Sequence, residues 1–428
     1  MSLLAEIQEK RARVAVVGLG YVGLPLALEA ASAGYTVTGV DSDRTKVSSI
    51  SSGVAPGNTA PAGQLSSELA AGRFSATADP SVLSGAGVIV LCIPTPLTNE
   101  LPDMSFVEAA ATQVSENLTG GTLVILESTT YPGTTEQVVL PRLLASGLES
   151  GKDFHLGYSP ERIDPGNRNH TLRNVPKIVG GLDEQAGRLM EAFYGAFIDK
   201  LVPVSSPRIA EMAKLLENTY RHVNIALVNE MAILCHDLGI DVWEVIDAAA
   251  TKPFGFEPFY PGPGWGGHCI PVDPAYLSWR VRQMGSTARF VELAREFNKL
   301  MPVYIVQRCG EALNEIGKSL KGARILVLGV TYKADVADVR ESPAEPIIGR
   351  LKSAGAEVSF HDPFVERMDI NDGTIPRVDP DSSLDSSDLV LIHTPHSSYD
   401  WQSILSRARL VLDTRNVTAG LPGPVVKL

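Results

Sequence analysis

One cysteine stands in surroundings that a purely structural thiol does not need. Cys269 lies in the segment Pro261–Pro274, in which four glycines precede the thiol and the carboxylate of Asp273 follows four residues after it. Glycine permits backbone conformations and close approaches that side chains forbid, so the sequence predicts that another group comes close to Cys269. A thiolate is a good nucleophile toward an aldehyde. The segment therefore indicates covalent catalysis.

Two polar residues on a predicted helix extend this candidate catalytic set. Apolar residues recur at helical spacing through Ile209–Leu238, and within that stretch Lys214 and Asn218 lie four residues apart, on one helix face. The ammonium group could stabilise an alkoxide-like oxygen, with the amide supporting it, and could favour the thiolate of Cys269. Asp273 could position or activate water. Taken alone, the helical pair could be a solvated face and Asp273 could be a helix N-cap.

The beginning of the chain has the order strand, glycine turn, helix, strand and acid. A β-branched strand leads into the turn, an Ala/Leu-rich helix follows, and the second strand, Thr36–Val40, ends at an aspartate. In this arrangement the three glycines serve the tight turn, the approach of a pyrophosphate and close helix packing, and the helix N-terminus favours phosphate. The acid is placed to bind a ribose diol, which favours NAD over NADP. The candidate cofactor-binding residues here are Gly18, Gly20, Tyr21, Val22, Gly23 and Asp41.

Further predicted strands end in polar segments. Val88–Ile93 is followed by Thr95, and Thr122–Leu126 is followed by Thr129. Open α/β sheets place ligands beyond the carboxyl ends of their strands, so both threonines are candidates. Another strand, His155–Tyr158, leads to Glu161 and Arg162, and the run Ile178–Gly181 is expected to close the sheet.

A third region repeats the pattern of the first. Arg324–Gly329, Glu357–Asp362 and Leu389–Pro395 match the earlier strands, but the full glycine fingerprint is missing, and Lys333 could either contact a phosphate or simply be exposed. The predicted fold is α/β, with two Rossmann-like doubly wound domains joined by a helical middle domain that contains a long helix. The expected domains are residues 1–200, 201–317 and 318–428.

Charge and cysteine usage exclude several classes of protein. The formal net charge of −12 argues against a general nucleic-acid binder, and the absence of a long apolar run argues against a membrane span. The N-terminus does not resemble a signal peptide, so the expected location is the cytoplasm, with reduced thiols. Cys92 and Cys235 are expected in the core. No metal is expected, since no CxxC or HExxH spacing occurs.

NAD and a nucleophilic thiol together suggest a two-step oxidation. An aldehyde captured as a thiohemiacetal can lose a second hydride to give a thioester, which water hydrolyses. That scheme takes a primary alcohol to a carboxylate and uses two NAD molecules.

At these residues the sequence resembles the UDP-glucose/GDP-mannose dehydrogenase family of nucleotide-sugar 6-dehydrogenases, over essentially the whole chain from Gly18 to Arg415. The motifs occur in the family's order, and the ordered set is specific although no single piece is: Gly18–Pro25, Glu211–Asn218, Asn229–Glu230, Gly264–Asp273 and Gly329–Pro343.

The resemblance implies a four-electron oxidation of a sugar C6 hydroxyl to a uronic acid, with Cys269 as the thioester nucleophile. Thr129 and Glu161 match positions that help hold the catalytic water and the acid–base network, and Arg340 matches a residue near the cofactor. The resemblance also implies a dimer formed through the helical middle domain, and an active site in the cleft between the two α/β domains. The substrate-binding residues on this view are Glu161, Arg162, Lys214, Asn218, Gly266, Lys333 and Arg415.

The subgroup that the chain resembles most oxidises UDP-N-acetylhexosamines. The supporting strings are Glu127–Thr135, Ser159–Asn167 and His268–Asp273, and position 272 is Val where the UDP-glucose enzymes carry Lys. The same reaction on UDP-glucose, dTDP-glucose or GDP-mannose stays open.

Two other classes of function remain as alternatives. A single-step NAD dehydrogenase of the 3-hydroxyacyl or 6-phosphogluconate type does not require Cys269, and one NADH per substrate would favour it. A non-catalytic nucleotide-sugar binder would show tight NAD binding without turnover.

Overall fold

A computed structural model describes residues 2–56, 63–98, 100–163, 169–267, 269–370 and 373–428; for Cys269 it describes the backbone only. The chain divides into two compact units. The first unit consists of Met1–Glu217 and Ala275–Gly285, and the second consists of Asn218–Pro274 and Ser286–Leu428.

The first unit is built on an eight-stranded sheet with the order β10-β9-β8-β7-β4-β1-β2-β3. All neighbouring pairs are parallel except β8 and β9, and the short pair β5–β6 forms a separate hairpin. The central strands are continuous apolar runs because both faces of the sheet are covered. The strands are β1 Arg13–Val17, β2 Thr36–Val40, β3 Phe74–Thr77, β4 Val88–Leu91, β5 Leu97–Thr98, β6 Leu101–Pro102, β7 Thr122–Leu126, β8 Phe154–Tyr158, β9 Lys177–Gly181 and β10 Leu201–Val204.

Helices cover both faces of this sheet and enclose two apolar clusters. Several begin at an aspartate whose side chain accepts hydrogen bonds from first-turn N–H groups, as Asp43 and Asp183 do. One turn of π-helix, Thr135–Val139, leads into α6. The helices are α1 Leu3–Gln8, α2 Gly23–Ser32, α3 Arg44–Ser51, α4 Gln64–Ala70, α5 Ser105–Asn117, α6 Leu140–Leu144 and α7 Glu184–Tyr194.

Among the described residues, four helices form the middle of the chain. The long helix α8, Pro207–Asp237, continues from the first unit into the second, and α9, Val242–Ala250, follows it. Helix α10, Cys269–Gln283, begins in the second unit, and its later residues belong to the first. Helix α11, Arg289–Glu315, lies wholly in the second unit.

The second unit also contains a parallel sheet, with the order β12-β11-β15-β16-β17, and an antiparallel hairpin of β13 and β14. Apolar clusters lie on both faces of the sheet. The remaining elements are β11 Arg324–Leu328, α12 Ala344–Ser353, β12 Glu357–His361, β13 Arg367–Ile370, β14 Gly373–Pro376, α13 Pro380–Leu384, β15 Leu389–Ile392, α14 Trp401–Arg407, β16 Val411–Asp413 and β17 Val425–Lys427.

The predicted fold class is confirmed: two doubly wound α/β parts flank a helical middle. The prediction that Ile178–Gly181 closes the first sheet is wrong, because a further strand, β10, lies beyond β9. Strand β9 runs antiparallel to β8. Cys92 and Cys235 are buried, as expected. In the described part of the chain, no helix is both long enough and apolar enough to cross a bilayer.

Candidate active site

The glycine turn after β1 has the shape that a dinucleotide needs. Gly18 has φ +92°, and a Cβ there would lie 2.3 Å from the Cys92 carbonyl oxygen; a Cβ on Gly23 would lie 1.8 Å from the Gly18 oxygen. At Gly20 an added Cβ would meet no described atom within 4 Å. Two of the glycines are therefore required by internal packing, whereas the third leaves the backbone open to a ligand, as a pyrophosphate requires. The residues fit NAD.

Asp41 ties the second strand to this turn. Its Oδ2 accepts hydrogen bonds from the backbone N–H of Leu19, at 2.9 Å, and from the ammonium group of Lys46, at 2.8 Å, and its Oδ1 accepts one from the N–H of Asp43. Burial alone would raise the pKa of Asp41, but these donors outweigh burial and hold the pKa below its usual value. The ionised carboxylate keeps an acceptor position on Oδ1 for a ribose hydroxyl.

The other cofactor candidates lie around the same turn and at the ends of neighbouring strands. Tyr21 is exposed, and Val22 is the N-cap of α2. Thr95, which is buried, and Thr129, which is half-buried, follow β4 and β7, two strands paired along their length. The loops after these strands are joined by a hydrogen bond from the Ile93 N–H to the Ser128 Oγ, 2.8 Å.

Glu161 is a buried carboxylate beyond the end of β8. Its Oε1 accepts a hydrogen bond from the Ile163 N–H, and its Oε2 has no hydrogen-bond partner among the described residues. Burial raises the pKa of Glu161, and the ammonium groups of Lys177 and Lys214 offset part of that rise. A carboxyl group that gains a proton nearer to neutral pH suits a general acid–base role.

A buried ion pair close to Glu161 is absent from the sequence-based prediction. Lys177 on β9 and Glu127 after β7 are 3.1 Å apart with side chains 5% and 0% exposed. Tyr194 donates a hydrogen bond to the Glu127 carboxylate, and the ammonium group of Lys177 also lies over the Tyr194 ring. A buried charge requires a partner, and the buried glutamate after β7 was the signal that could have suggested one.

Lys214 and Arg162 have different surroundings. Lys214 is buried on α8 within electrostatic range of Glu161, so the interpretation of Lys214 as part of a solvated helix face is wrong. The guanidinium of Arg162 is held by both carboxylate oxygens of Glu217, at 2.7 and 3.2 Å, and by the Pro176 carbonyl oxygen.

The string Ser159–Asn167, on which part of the subgroup prediction rests, extends into residues 164–168, outside the described residues.

In the second unit, Asn218 and Asp273 are directly joined. Asn218, buried on α8 one turn after Lys214, donates a side-chain hydrogen bond to Asp273 Oδ2. Asp273 lies inside α10, which begins at Cys269, so its interpretation as a helix N-cap is wrong. Cys269 and Asp273 are one helical turn apart in α10. The thiol itself lies outside the described side chains.

The glycines before Cys269 pack against the third region of the chain. A Cβ on Gly266 would lie 2.5 Å from the Glu341 oxygen, one on Gly267 would lie 2.8 Å from the Tyr332 ring, and one on Gly262 would lie 2.4 Å from Arg415 Nη1. The sequence suggested that these glycines give clearance to a ligand. The structure shows that they first give clearance to protein groups.

The remaining substrate and cofactor candidates lie in the second unit. Lys333 is half-buried, and its carbonyl oxygen accepts a hydrogen bond from the Thr331 hydroxyl. Arg340 pairs with Asp338, and its carbonyl oxygen accepts a hydrogen bond from the Gly267 N–H. Arg415 donates to the His393 carbonyl oxygen at 3.0 Å; burial lowers the pKa of Arg415 to about 10.

A buried imidazole network in this unit was not predicted. His396, fully buried, lies 2.9 Å from Asp362 Oδ2 through Nε2, and its Nδ1 accepts a hydrogen bond from the Asp335 N–H at 3.0 Å. Asp362 also accepts from the N–H of Val330. The network fixes both ends of the turn that carries Lys333.

Comparison with known proteins places all three regions in one family. The models of the UDP-glucose/GDP-mannose dehydrogenase family match residues 12–198 as its NAD binding domain, 208–300 as its central domain and 326–420 as its UDP binding domain. Among curated relatives, UDP-N-acetyl-D-mannosamine dehydrogenase of Pyrococcus horikoshii is 37% identical over 95% of this chain and 96% of its own length. UDP-N-acetyl-D-glucosamine 6-dehydrogenase of Pseudomonas aeruginosa is 36% identical over 84% of this chain and 85% of its own.

A solved structure agrees with these matches. The UDP-D-ManNAc dehydrogenase of Pyrococcus horikoshii superposes with a TM-score of 0.89 at 35% identity, and the alignment covers 97% of this chain and 98% of that one.

Proposed function

We propose that this chain, which belongs to the UDP-glucose/GDP-mannose dehydrogenase family, oxidises the C6 hydroxyl of a UDP-N-acetylhexosamine to a carboxylate in two steps. The chain is an NAD-dependent oxidoreductase that dehydrogenates a nucleotide sugar, since all three family domains are present and its relatives are dehydrogenases of such substrates. One observation carries the two-step route. The buried Asn218–Asp273 pair joins the helix of Lys214 to the helix that begins at Cys269.

The chain's own residues divide the chemistry between them. NAD, when bound, accepts a hydride from C6 in each of the two oxidations. In the first oxidation, Lys214 stabilises the alkoxide-like C6 oxygen, which becomes the aldehyde oxygen. Asn218 supports Lys214. The thiolate of Cys269 then attacks the aldehyde carbon to give a thiohemiacetal, whose oxidation leaves a thioester.

Hydrolysis of the thioester completes the reaction. Water adds to the thioester carbon, the C–S bond breaks, and the thiol is regenerated as the carboxylate leaves. Asp273 and Glu161 are the groups proposed to accept the proton from that water, and Thr129 is proposed to help hold it. The raised pKa of Glu161 suits a group that takes up and releases a proton in one cycle.

The substrate class is drawn from the relatives, two of which are named for UDP-N-acetylmannosamine and UDP-N-acetylglucosamine. In this chain, Lys333 and Arg415 are the cations proposed for the diphosphate, and Arg162 and Gly266 are proposed to contact the sugar. Arg340 is proposed to lie near the cofactor. UDP-glucose, dTDP-glucose and GDP-mannose are the competing substrates.

A substrate panel tests the proposal. NADH formation is measured with UDP-N-acetylmannosamine, UDP-N-acetylglucosamine, UDP-N-acetylgalactosamine, UDP-glucose, dTDP-glucose and GDP-mannose. We expect an N-acetylhexosamine to give the highest kcat/KM, with two NADH per sugar. One NADH per sugar would contradict the thioester route, and faster turnover of a sugar without the N-acetyl group would contradict the substrate class.

Three further features belong to the proposal. The functional domains are residues 1–200 for NAD, 201–317 for the catalytic helices and 318–428 for the nucleotide sugar. The protein is proposed to work in the cytoplasm as a homodimer through the central helices. In support of the dimer, α8 carries exposed apolar residues at helical spacing in the second unit, namely Tyr220, Leu227, Met231 and Leu234.

A further inference from the structure

A proline inside α10 removes the usual backbone donor for one carbonyl of the first turn of that helix. Pro274 is the sixth residue of the helix that begins at Cys269, and it has no N–H. The carbonyl oxygen that this N–H would normally bind belongs to Ile270, directly after the cysteine. A buried carbonyl without a donor is costly, so another group must supply the hydrogen bond.

His222 lies at that carbonyl. Its Nδ1 is 3.1 Å from the Ile270 oxygen and its Nε2 is 3.3 Å from the Val291 oxygen. The imidazole is 2% exposed, and its ring centre lies 4.3 Å from that of Trp265 in the glycine segment. One side chain therefore contacts the segment before Cys269, the turn after it and α11.

The chemistry of the partners fixes the proton on His222. A carbonyl oxygen only accepts, so the required bond to Ile270 places the hydrogen on Nδ1. Burial lowers the pKa of His222, and the nearby positive charge of Arg295 lowers it further, although the two carbonyl oxygens act in the opposite direction. The ring is therefore neutral at neutral pH. Val291, inside α11, has the Arg295 N–H as its helical donor and does not need the imidazole.

We infer that His222 is a positioning residue for the catalytic thiol: it supplies the hydrogen bond that Pro274 cannot, and so fixes the first turn of α10, at which Cys269 stands. The inference rests on the proposed role of Cys269. It also explains a spacing, because Lys214, Asn218 and His222 follow one another at intervals of four along α8 and so share one face. That face carries two proposed catalytic groups and the residue that orients the third.

Two substitutions of His222 separate its hydrogen bond from its shape. His222→Phe keeps a flat ring against Trp265 and removes the donor. His222→Asn gives up the ring but places an amide N–H near the position of Nδ1. We expect kcat for acid formation to fall roughly three- to tenfold in the Phe variant, as for the loss of one buried hydrogen bond, and to recover at least in part in the Asn variant.

The pH dependence of cysteine alkylation gives a readout that simple loss of stability would not move. A cysteine at a helix N-terminus has a lowered thiol pKa, so a loosened first turn should move the alkylation midpoint of Cys269 to higher pH in the Phe variant and back in the Asn variant. Cys269→Ser provides the background from the buried thiols. The NAD dissociation constant and the melting temperature are measured in parallel.

A second-site change tests the cause directly. Pro274→Ala restores a backbone N–H that can reach the Ile270 oxygen, so it should reduce the loss caused by His222→Phe. An equal loss from His222→Phe with and without Pro274→Ala, or an Asn variant no better than Phe, would overturn the inference. Failure of the proposed function would look different: Cys269→Ser would then form two NADH per sugar at the wild-type rate.

Discussion

At the scale of single residues, the buried pair of Lys177 and Glu127 leads to a prediction about the free energy of unfolding. Lys177→Met should lower the free energy of unfolding by about 3 to 5 kcal/mol, because it leaves a carboxylate uncompensated in the core. The double variant Lys177→Met/Glu127→Leu should lose much less, since neither charge then remains. Denaturant unfolding measures both. A double variant as unstable as the single one would show that the loss comes from packing.

Asp41 makes a second prediction at this scale. Asp41→Ala should weaken NAD binding roughly ten- to hundredfold, since charge-assisted hydrogen bonds are the stronger kind, and should leave the affinity for the nucleotide sugar unchanged. Isothermal titration with each ligand separates the two effects. Lys46→Ala is the matched control, because it removes the 2.8 Å partner of Asp41 but keeps the carboxylate. An equal loss of both ligands would contradict the assignment of Asp41 to the ribose.

Sequence reasoning singled out residues by local spacing and missed contacts between distant positions. Lys214 and Asn218 were singled out because they lie four residues apart on a predicted helix, and Asp273 because it follows Cys269 by four residues, but the hydrogen bond between Asn218 and Asp273, 55 positions apart, was not predicted. Lys177 and His222 were missed because their partners are 50 and 48 positions away, at Glu127 and Ile270. Only tertiary packing brings such residues together. The sequence around a lysine or a histidine does not indicate whether the side chain has a buried partner elsewhere in the chain.

At the scale of elements, Glu211 shows how the long helix holds the first unit. From α8 it accepts hydrogen bonds from the N–H groups of Gly133 and Thr135 and from the Thr135 hydroxyl. These donors fix the start of the π-helical turn after β7. Burial raises the pKa of Glu211 to about 7, although the same donors pull it down. The carboxyl group therefore couples the packing of this turn to pH.

The raised pKa of Glu211 predicts a pH-dependent stability. A group whose pKa is higher in the folded chain favours folding most below its unfolded value, near 4.5, and that contribution is lost as pH rises through about 7. Urea unfolding of the wild type and of Glu211→Gln from pH 5 to pH 8 measures it. We expect the wild type to lose stability relative to Glu211→Gln as pH rises from 5 to about 7, because only the wild type loses the proton. A constant difference would mean that Glu211 does not titrate in this range.

The boundaries of an element were predictable where its hydrophobic pattern and the residues that end it agree. The β-branched runs that became β1, β2 and β11 begin and end within a residue of their predicted bounds. The start of α10 was not predictable, because Pro274 looks like a first helical residue but lies within the helix. Strand β10, Leu201–Val204, contains a proline, which is tolerated because the strand lies at the sheet edge.

At the scale of the whole molecule, the proposed dimer follows from how α8 distributes its side chains. Tyr220, Leu227, Met231 and Leu234 are 37% to 50% exposed, and at 3.6 residues per turn they fall within about 60° of one another. Lys214, Asn218 and His222 lie on the opposite side of the helix. One face thus carries the proposed catalytic groups, and the other is an apolar stripe that a second copy of the same helix could cover.

The stripe on α8 gives the last prediction. Leu227→Glu/Leu234→Glu places two charges on the stripe. We expect sedimentation velocity to show a dimer for the wild type and a monomer for this variant, because burying unpaired carboxylates across the interface is costly. Leu101→Glu, on an exposed apolar residue of the first unit, is the matched control and should leave the dimer intact. NAD affinity measured on the monomeric variant should be unchanged, since the substituted face is not the one that carries Lys214. A wild-type protein that sediments as a monomer at micromolar concentration, or a double variant that still dimerises, would mean that this stripe serves another contact.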